Sequence, residues 1–295
     1  GALHRVADAM EQGAQGEVAR LMTCEMGKPY SEAVGELMNV GSIFRYYAEI
    51  ARDDGGFLAG PTAPGSLQYA KYFPYGVTAH IMPFNFPIVL MAFTVAASLA
   101  VGNAVVIKPA PATSLCTLKF MEHFASLPVG LVSCVTGGAE TAQALIADDR
   151  VKVVAFTGSV EAGQKVAAAC GERLKSCVIE AGGSDPQIVL DSADPDVAAA
   201  AAVTAAFHLS GQVCTATERI LVHEKIHDAF VDRLVTRTKA LRVGPGLSNV
   251  ELGPLVSQAA RDKVMRLVDQ AVAQGAQVAC GGGIPKGRNV GWFYE

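Results

Sequence analysis

The chain has 295 residues, 51% hydrophobic and 18% charged, with a formal net charge of -4 at pH 7. Length and composition fit a globular chain of about two domains. The mild acidity and the absence of any Lys/Arg cluster exclude a nucleic-acid surface, which would be basic.

Seven cysteines stand at 24, 116, 134, 170, 177, 214 and 280, odd in number, irregularly spaced and without a C-x-x-C. That pattern predicts a reduced, cytoplasmic chain with neither disulfides nor a metal site. No signal peptide opens the sequence. The apolar stretch 86–107 has the length of a membrane span, but Pro87 and Gly102-Asn103 predict a buried helix, a turn and a buried strand instead. The chain opens without Met inside an amphipathic pattern (Leu3, Val6, Ala7, Met10) and stops just after Gly291-Trp292-Phe293-Tyr294. The expectation is an internal piece of a longer protein.

In chain order, 1 to about 53 is helical by pattern, broken at Gly27-Lys28-Pro29. Glycines and prolines at 55–65 frame a loop, and 67–74 alternates like an exposed strand, together a projecting β-hairpin at about 56–74. From Gly76 short apolar strands alternate with helices. Strands are predicted at 77–82, 104–107, 131–135, 153–156 and 176–179, and helices at 88–99, 115–125, 140–147 and 160–169. This is the rhythm of a doubly wound parallel sheet covered on both faces, a nucleotide-binding architecture. The pair Gly182-Gly183 marks a boundary between domains 1–182 and 183–295. The second domain repeats the α/β rhythm with strands at 187–190, 220–223 and 278–280 and helices at 197–208, 226–239 and 257–274.

Five stretches can carry chemistry. Cys214, in Gly211-Gln212-Val213-Cys214-Thr215-Ala216, is an inert packing thiol when read alone, or a nucleophile if a base and an oxyanion site accompany it. Phe156-Thr157-Gly158-Ser159 opens a helix after an apolar strand. Gly158 lets a phosphate approach the helix N-terminus, and Gly163 permits close packing; the plain alternative is an N-capped helix. Lys108 ends a strand where open α/β sheets bind ligands, or is a solvated lysine. Asn85, in Pro83-Phe84-Asn85-Phe86-Pro87, is an oxyanion donor or a turn asparagine. Glu180, before Ala181-Gly182-Gly183, is a base raised by burial or a surface glutamate at a strand end.

These stretches, in this order and spacing, closely resemble the NAD(P)-dependent aldehyde dehydrogenase superfamily, and the resemblance spans nearly the whole chain. The Met26-Gly27-Lys28-Pro29 turn and Gly291-Trp292-Phe293 are similar to the family as well. The resemblance implies that Cys214 adds to an aldehyde carbon, and that the Asn85 side chain with the Cys214 N–H holds the oxyanion. Glu180 would activate the water that hydrolyses the resulting thioester. NAD or NADP would lie on Lys108, Gly158, Ser159, Gly163, Met82, Pro83, Phe84, Ala181 and Gly182. The hairpin would join a strand of a neighbouring subunit in a homodimer or homotetramer.

Three positions refine these implications. Pro111 stands where many NAD-using relatives have a glutamate that grips the ribose, which makes NADP acceptable. Val213 precedes the nucleophile where relatives acting on acidic aldehydes carry Arg, which points to an uncharged substrate end. Phe84 replaces a tryptophan and keeps an aromatic wall. A glutamate-phenylalanine motif that orients the nicotinamide, and the family's C-terminal strand, would lie beyond Glu295, leaving the catalytic domain incomplete. A chain of only these residues would fold poorly and turn over little. Two other readings stay open: a CoA-acylating relative, disfavoured by Glu180, and a non-catalytic member of the same fold.

Overall fold

A computed structural model of the chain describes residues 1–13, 15–52, 55–288 and 290–295. Asp53, at the end of the predicted helical region, lies outside them. The chain divides into two compact units, Gly1–Val18 with Gly35–Glu180, and Ala19–Val34 with Ala181–Glu295.

The elements of the N-terminal region are α1 (Ala2–Gln12), α2 (Gln15–Met26), α3 (Tyr30–Met38) and α4 (Val40–Ile50). Val6, Ala7 and Met10 of α1 and Val40, Gly41 and Phe44 of α4 are buried, the apolar stripes of two helices packed on each other. A Cβ at Gly41 would stand 2.9 Å from the Glu11 side chain, so the small residue sets the helix spacing. The hairpin follows as β1 (Gly56–Ala59) paired antiparallel with β2 (Gln68–Lys71). Its strands are shorter than 67–74 predicted, and Phe57, Tyr69, Tyr72 and Phe73 on and beside them are exposed.

The body of the first unit is a five-stranded sheet. Its elements run β3 (Val77–Ile81), α5 (Val89–Ala100), β4 (Ala104–Lys108), α6 (Ser114–Phe120), β5 (Val132–Cys134), α7 (Ala139–Ala147), β6 (Val151–Gly158), α8 (Val160–Gly171) and β7 (Ser176–Ala181). The order is β5-β4-β3-β6-β7, and the β3–β4, β3–β6 and β4–β5 pairs are parallel. The chain starts at the centre, winds outward to β5, then returns and winds outward on the other side, which is the doubly wound topology. Ala79, Ile81, Val154 and Phe156 pack with Ile146, Val166 and Cys170 from α7 and α8 into one core. The helix predicted over 115–125 ends earlier: α6 stops at Phe120 and tightens into a 3₁₀ turn over Met121–Phe124.

A histidine sits inside this sheet. His80 is 2% exposed, with Nε2 2.9 Å from Thr78 Oγ1 and Nδ1 2.9 Å from Thr94 Oγ1. Both ring nitrogens are satisfied by hydroxyls, and burial pushes the imidazole pKa down to about 4.

The second unit holds the parallel pair β8 (Asp185–Val189) and β9 (Thr217–Val222), with α9 (Pro195–Phe207), α10 (His227–Lys239) and α11 (Gln258–Ala273). Asp194 caps α9, its carboxylate accepting from the Asp196 N–H at 2.8 Å, and Pro195 takes the first helical position. Ala199 and Ala202 let α9 pack closely on Phe230 of α10 and Val189 of β8. Val278–Cys280, predicted as a strand, forms no ladder among the described residues; nearby, the Gly282 N–H donates to the Glu295 carbonyl and the Glu295 N–H to that of Gly283.

Residues 19–34 group with this second unit, where the sequence placed all of 1–182 in the first domain. Glycine contacts explain it. A Cβ at Gly253 would stand 2.1 Å from the Gly27 carbonyl oxygen, and one at Gly246 2.5 Å from that of Lys28. Backbone meets backbone there, and Lys28 is 1% exposed.

Candidate active site

In an open α/β sheet, ligands bind at the carboxyl ends of the strands where the winding reverses, here between β3 and β6. Register places Ile81 opposite both Lys108 and Phe156, so Lys108, the segment after Ile81 and Gly158–Ser159 share one sheet edge. Met82 continues the pairing, its N–H donating to the Lys108 carbonyl at 2.9 Å. The backbone then turns through Pro83–Pro87. Half-buried Asn85 lies in that turn, its Oδ1 accepting the Phe86 N–H at 3.0 Å. The turn is tied down by a residue distant in sequence. Glu36, 6% exposed, accepts the Ile88 and Val89 N–H groups at 2.8 and 3.0 Å. A carboxylate there satisfies two donors at the start of α5 and complements the helix dipole.

Lys108 is not a solvated lysine. It is 5% exposed, and its ammonium donates to the carbonyls of Pro109 at 2.7 Å and Gly137 at 3.0 Å. Burial lowers its pKa, with the Glu140 carboxylate opposing. Ser159 caps α8, its hydroxyl accepting the Ala162 N–H at 3.2 Å. Gly163 is buried; a Cβ there would meet Ile179 Cγ2 at 2.9 Å, so its part is to let α8 lie close on β7. Glu180 departs from expectation. β7 is the outer strand of the sheet, and the glutamate is exposed rather than buried. Ala181 and Gly182 are exposed as well.

In the second unit Cys214 is an exposed free thiol at the tip of a turn closed by the Ala216 N–H bonding to the Val213 carbonyl at 3.1 Å. A Cβ at Gly183 would stand 2.8 Å from the Cys214 carbonyl oxygen, which accounts for the second glycine of the pair. The residues before the thiol are unusual. Leu209 (φ 50°), Ser210 (φ 54°) and Gly211 (φ 77°) are left-handed in succession. Each non-glycine residue there costs about 1–2 kcal/mol, so the turn persists only because neighbours fix it. Leu209 is 1% exposed, and its N–H faces both Glu32 carboxylate oxygens at 3.1 and 3.2 Å. Ser210 Oγ donates to the Gly253 carbonyl at 2.9 Å. Gln212 spans the turn: Nε2 donates to the Leu209 carbonyl at 3.2 Å, and Oε1 accepts the Val256 N–H at 3.0 Å. Burial raises the Glu32 pKa, with His208, 3.4 Å away, opposing.

The first unit thus brings together Met82–Asn85, Lys108 and Gly158–Ser159, with Glu180 on the outer strand, while Cys214 belongs to the second unit with Gly183 beside it. Glu32 and Glu36 were not singled out from sequence. Two glutamates four residues apart on a helix read as a solvated face, and only their long-range partners reveal them. The second unit also contains a cleft of about 380 Å³ lined by Cys24, Met26, Leu247, Pro254 and Trp292, which includes none of the predicted site residues. Among the described residues no group of three or more His, Cys, Asp or Glu could hold a metal ion, and no helix is long and apolar enough to cross a membrane.

Strand order and ligand edge put the chain in the class of doubly wound α/β proteins. The aldehyde dehydrogenase family model matches residues 1–295, and the chain belongs to that family. It is 38% identical over 285 residues to the α-ketoglutarate semialdehyde dehydrogenase of Haloferax volcanii, covering 95% of this chain and 59% of that protein. It is 39% identical over 298 residues to an NADP(+) succinate-semialdehyde dehydrogenase of Mycolicibacterium paratuberculosis, covering 98% of this chain and 61% of that one. The crystal structure of betaine aldehyde dehydrogenase from Staphylococcus aureus in complex with NAD+ superposes with a TM-score of 0.95 at 30% identity, over 100% of this chain and 59% of its own. The chain therefore spans about 60% of the length of the relatives it matches.

Proposed function

We propose that the protein oxidises an aldehyde to a carboxylate with NAD(P)+, using Cys214 as nucleophile, Asn85 as oxyanion donor and Glu180 as the base for hydrolysis. The observation that carries the reading is an exposed thiol on a fixed turn in a chain that belongs to this family. The Cys214 thiolate adds to the aldehyde carbon, and the negative charge that develops on oxygen is met by the Asn85 Nδ2 end and the Cys214 N–H. With Oδ1 engaged by the Phe86 N–H, Nδ2 is the donor end of that amide. Glu180 then removes a proton from the water that attacks the thioester; the C–S bond breaks, the acid product departs and the Cys214 thiolate is regenerated. Its exposure in this chain gives water access.

The residues fit a dinucleotide. The serine-capped start of α8 favours a pyrophosphate, Gly158 leaves the backbone uncovered beside it, and the Lys108 ammonium, held by two carbonyls, presents a donor toward a ribose. Met82, Pro83, Phe84, Ala181 and Gly182 would line the nicotinamide side. Bound NAD(P)+ supplies the two-electron acceptor that converts the thiohemiacetal on Cys214 into a thioester. Pro111, exposed where a ribose-gripping glutamate would repel a 2′-phosphate, supports NADP use as well as NAD.

The exposed aromatic hairpin supports assembly into a homodimer or homotetramer. Seven free thiols support a reducing, cytoplasmic setting. The domain roles are cofactor binding for 1–182 and catalysis for 183–295. The test is acyl trapping. Aldehyde plus NAD(P)+ should leave an acyl mass on Cys214 in Glu180→Gln and reduced nicotinamide in the wild type. A Cys214→Ser protein that keeps full turnover would sink the mechanism.

A further inference from the structure

The strained turn before the thiol is held by Glu32, Ser210 and Gln212, and among the described residues Glu32 alone holds the left-handed Leu209 through its N–H. Leu209, Ser210 and Gly211 occupy the left-handed region in succession, with only Gln212 between them and the Val213–Ala216 turn that carries Cys214. The Leu209 N–H points at the carboxylate of Glu32, which comes from the first turn of α3. The Glu32 side chain is 15% exposed, and α3 is itself fixed at its start by the Tyr30 N–H bonding to the Gly246 carbonyl at 2.8 Å. The acceptor is therefore rigidly mounted. Ser210 and Gln212 clamp the same turn from the other side, through the carbonyl of Gly253 and the N–H of Val256.

We infer that Glu32 is a positioning residue for Cys214: by accepting the Leu209 N–H it holds the left-handed turn that aims the thiol. This rests on the reading of Cys214 as nucleophile. Without the carboxylate, Leu209 relaxes toward the right-handed region its side chain prefers, and the following residues rotate with it. An error of about 1 Å at a reacting atom is enough to cost orders of magnitude in rate.

The test uses the protein as it exists, in a Cys24→Ser background, because Cys24 is the other exposed thiol. The probe is p-nitrophenyl acetate: the thiolate forms a bond to the acetyl carbon, and p-nitrophenolate leaves with the electron pair of the broken C–O bond. Burst amplitude counts competent sites, and the burst rate constant reads how the thiol is presented. Glu32→Ala should lower the rate constant at least about tenfold with the amplitude unchanged, and Glu32→Gln, which keeps an acceptor oxygen, should stay within about threefold of wild type. A loss of amplitude alone, or an unchanged rate constant, overturns the inference, since either makes Glu32 merely structural. So does equal impairment of the Ala and Gln variants.

If Glu32→Ala does not fold, Ser210 decides. Both variants lose the Oγ bond to the Gly253 carbonyl, but Ser210→Gly accepts the left-handed backbone, so β-branched Ser210→Val should fall at least about tenfold below Ser210→Gly. Equal rate constants for those two overturn the inference. A burst that persists in Cys214→Ser would instead remove the nucleophile reading itself, so the two failures are distinguishable.

Discussion

The Pro83–Pro87 turn and the 208–214 turn are both held by a glutamate of α3, and the two glutamates do different work. Glu36 accepts two N–H groups at the start of α5, where the backbone is relaxed and the donors belong to a regular helix. Glu32 accepts one N–H in a turn where two successive non-glycine residues are left-handed. Losing the first bond frays a helix end. Losing the second releases strain of about 2–4 kcal/mol, because each residue contributes about 1–2. The same kind of contact therefore supports stability in one place and geometry in the other.

The sharpest way to break this contrast is at Asn85. Its Oδ1 accepts the Phe86 N–H of the first turn, while Glu36 secures that turn. Asn85→Ala should lower kcat/KM by about a hundredfold to a thousandfold, about 3–4 kcal/mol, with little change in thermal midpoint. Steady-state kinetics beside calorimetry checks it; a midpoint that falls in step with activity would show Asn85 to be structural.

Glu36→Ala is the complementary case. Two buried donors lose a charged acceptor, so stability should fall by about 3 kcal/mol in urea unfolding, with activity per folded molecule changed far less than for Glu32→Ala. Activity lost without loss of stability would erase the distinction between the two turns.

A smaller effect follows from His80, on the strand that leads into the Asn85 turn. Folded, its pKa is pushed down to about 4 from an ordinary 6.5. Below the ordinary value the unfolded chain binds a proton that the folded chain does not. Stability is therefore full above pH 6.5 and declines as the pH falls toward 4, by about 2 kcal/mol between pH 7 and pH 5. Urea midpoints at those two pH values should differ in the wild type and converge in His80→Gln; equal slopes would place the pH dependence elsewhere.

The smallest expected change is at the α8 cap. Ser159→Ala removes the acceptor for the Ala162 N–H and should cost about 1 kcal/mol, and Ser159→Gly only a few tenths. If the start of α8 also binds pyrophosphate, the Kd for NAD(P)+, read by fluorescence titration, should weaken in Ser159→Ala.

Much of this was visible in the residues. Short apolar strands alternating with helices predicted the first sheet because buried parallel strands need uninterrupted hydrophobic runs. Lys108 could be assigned to the end of β4, but its burial could not, because the carbonyl of Gly137 that accepts its proton comes from another loop. The apolar strand leaves Glu180 either buried or at a surface strand end; its strand is the outer one, and neighbour order is not written in local periodicity. Val278–Cys280 has strand-like residues but no partner strand among those described, and a strand exists only as a pair. Residues 19–34 read as more of the first domain, since nothing local shows that Gly246 and Gly253 admit their backbone. Long-range contacts account for each of these differences.

The seven thiols carry a further consequence. Cys24 and Cys214 are exposed, while Cys116 on α6 and Cys170 on α8 have 0% exposure, and burial pushes the Cys170 thiol up to about 11. Sulfur reactivity is thus graded by depth within one chain. A thiol reagent added to the native protein consumes the exposed pair first, and modification of Cys116 and Cys170 then proceeds only as fast as the first unit opens. The protein carries its own internal clock for unfolding, readable by peptide mass without any added label.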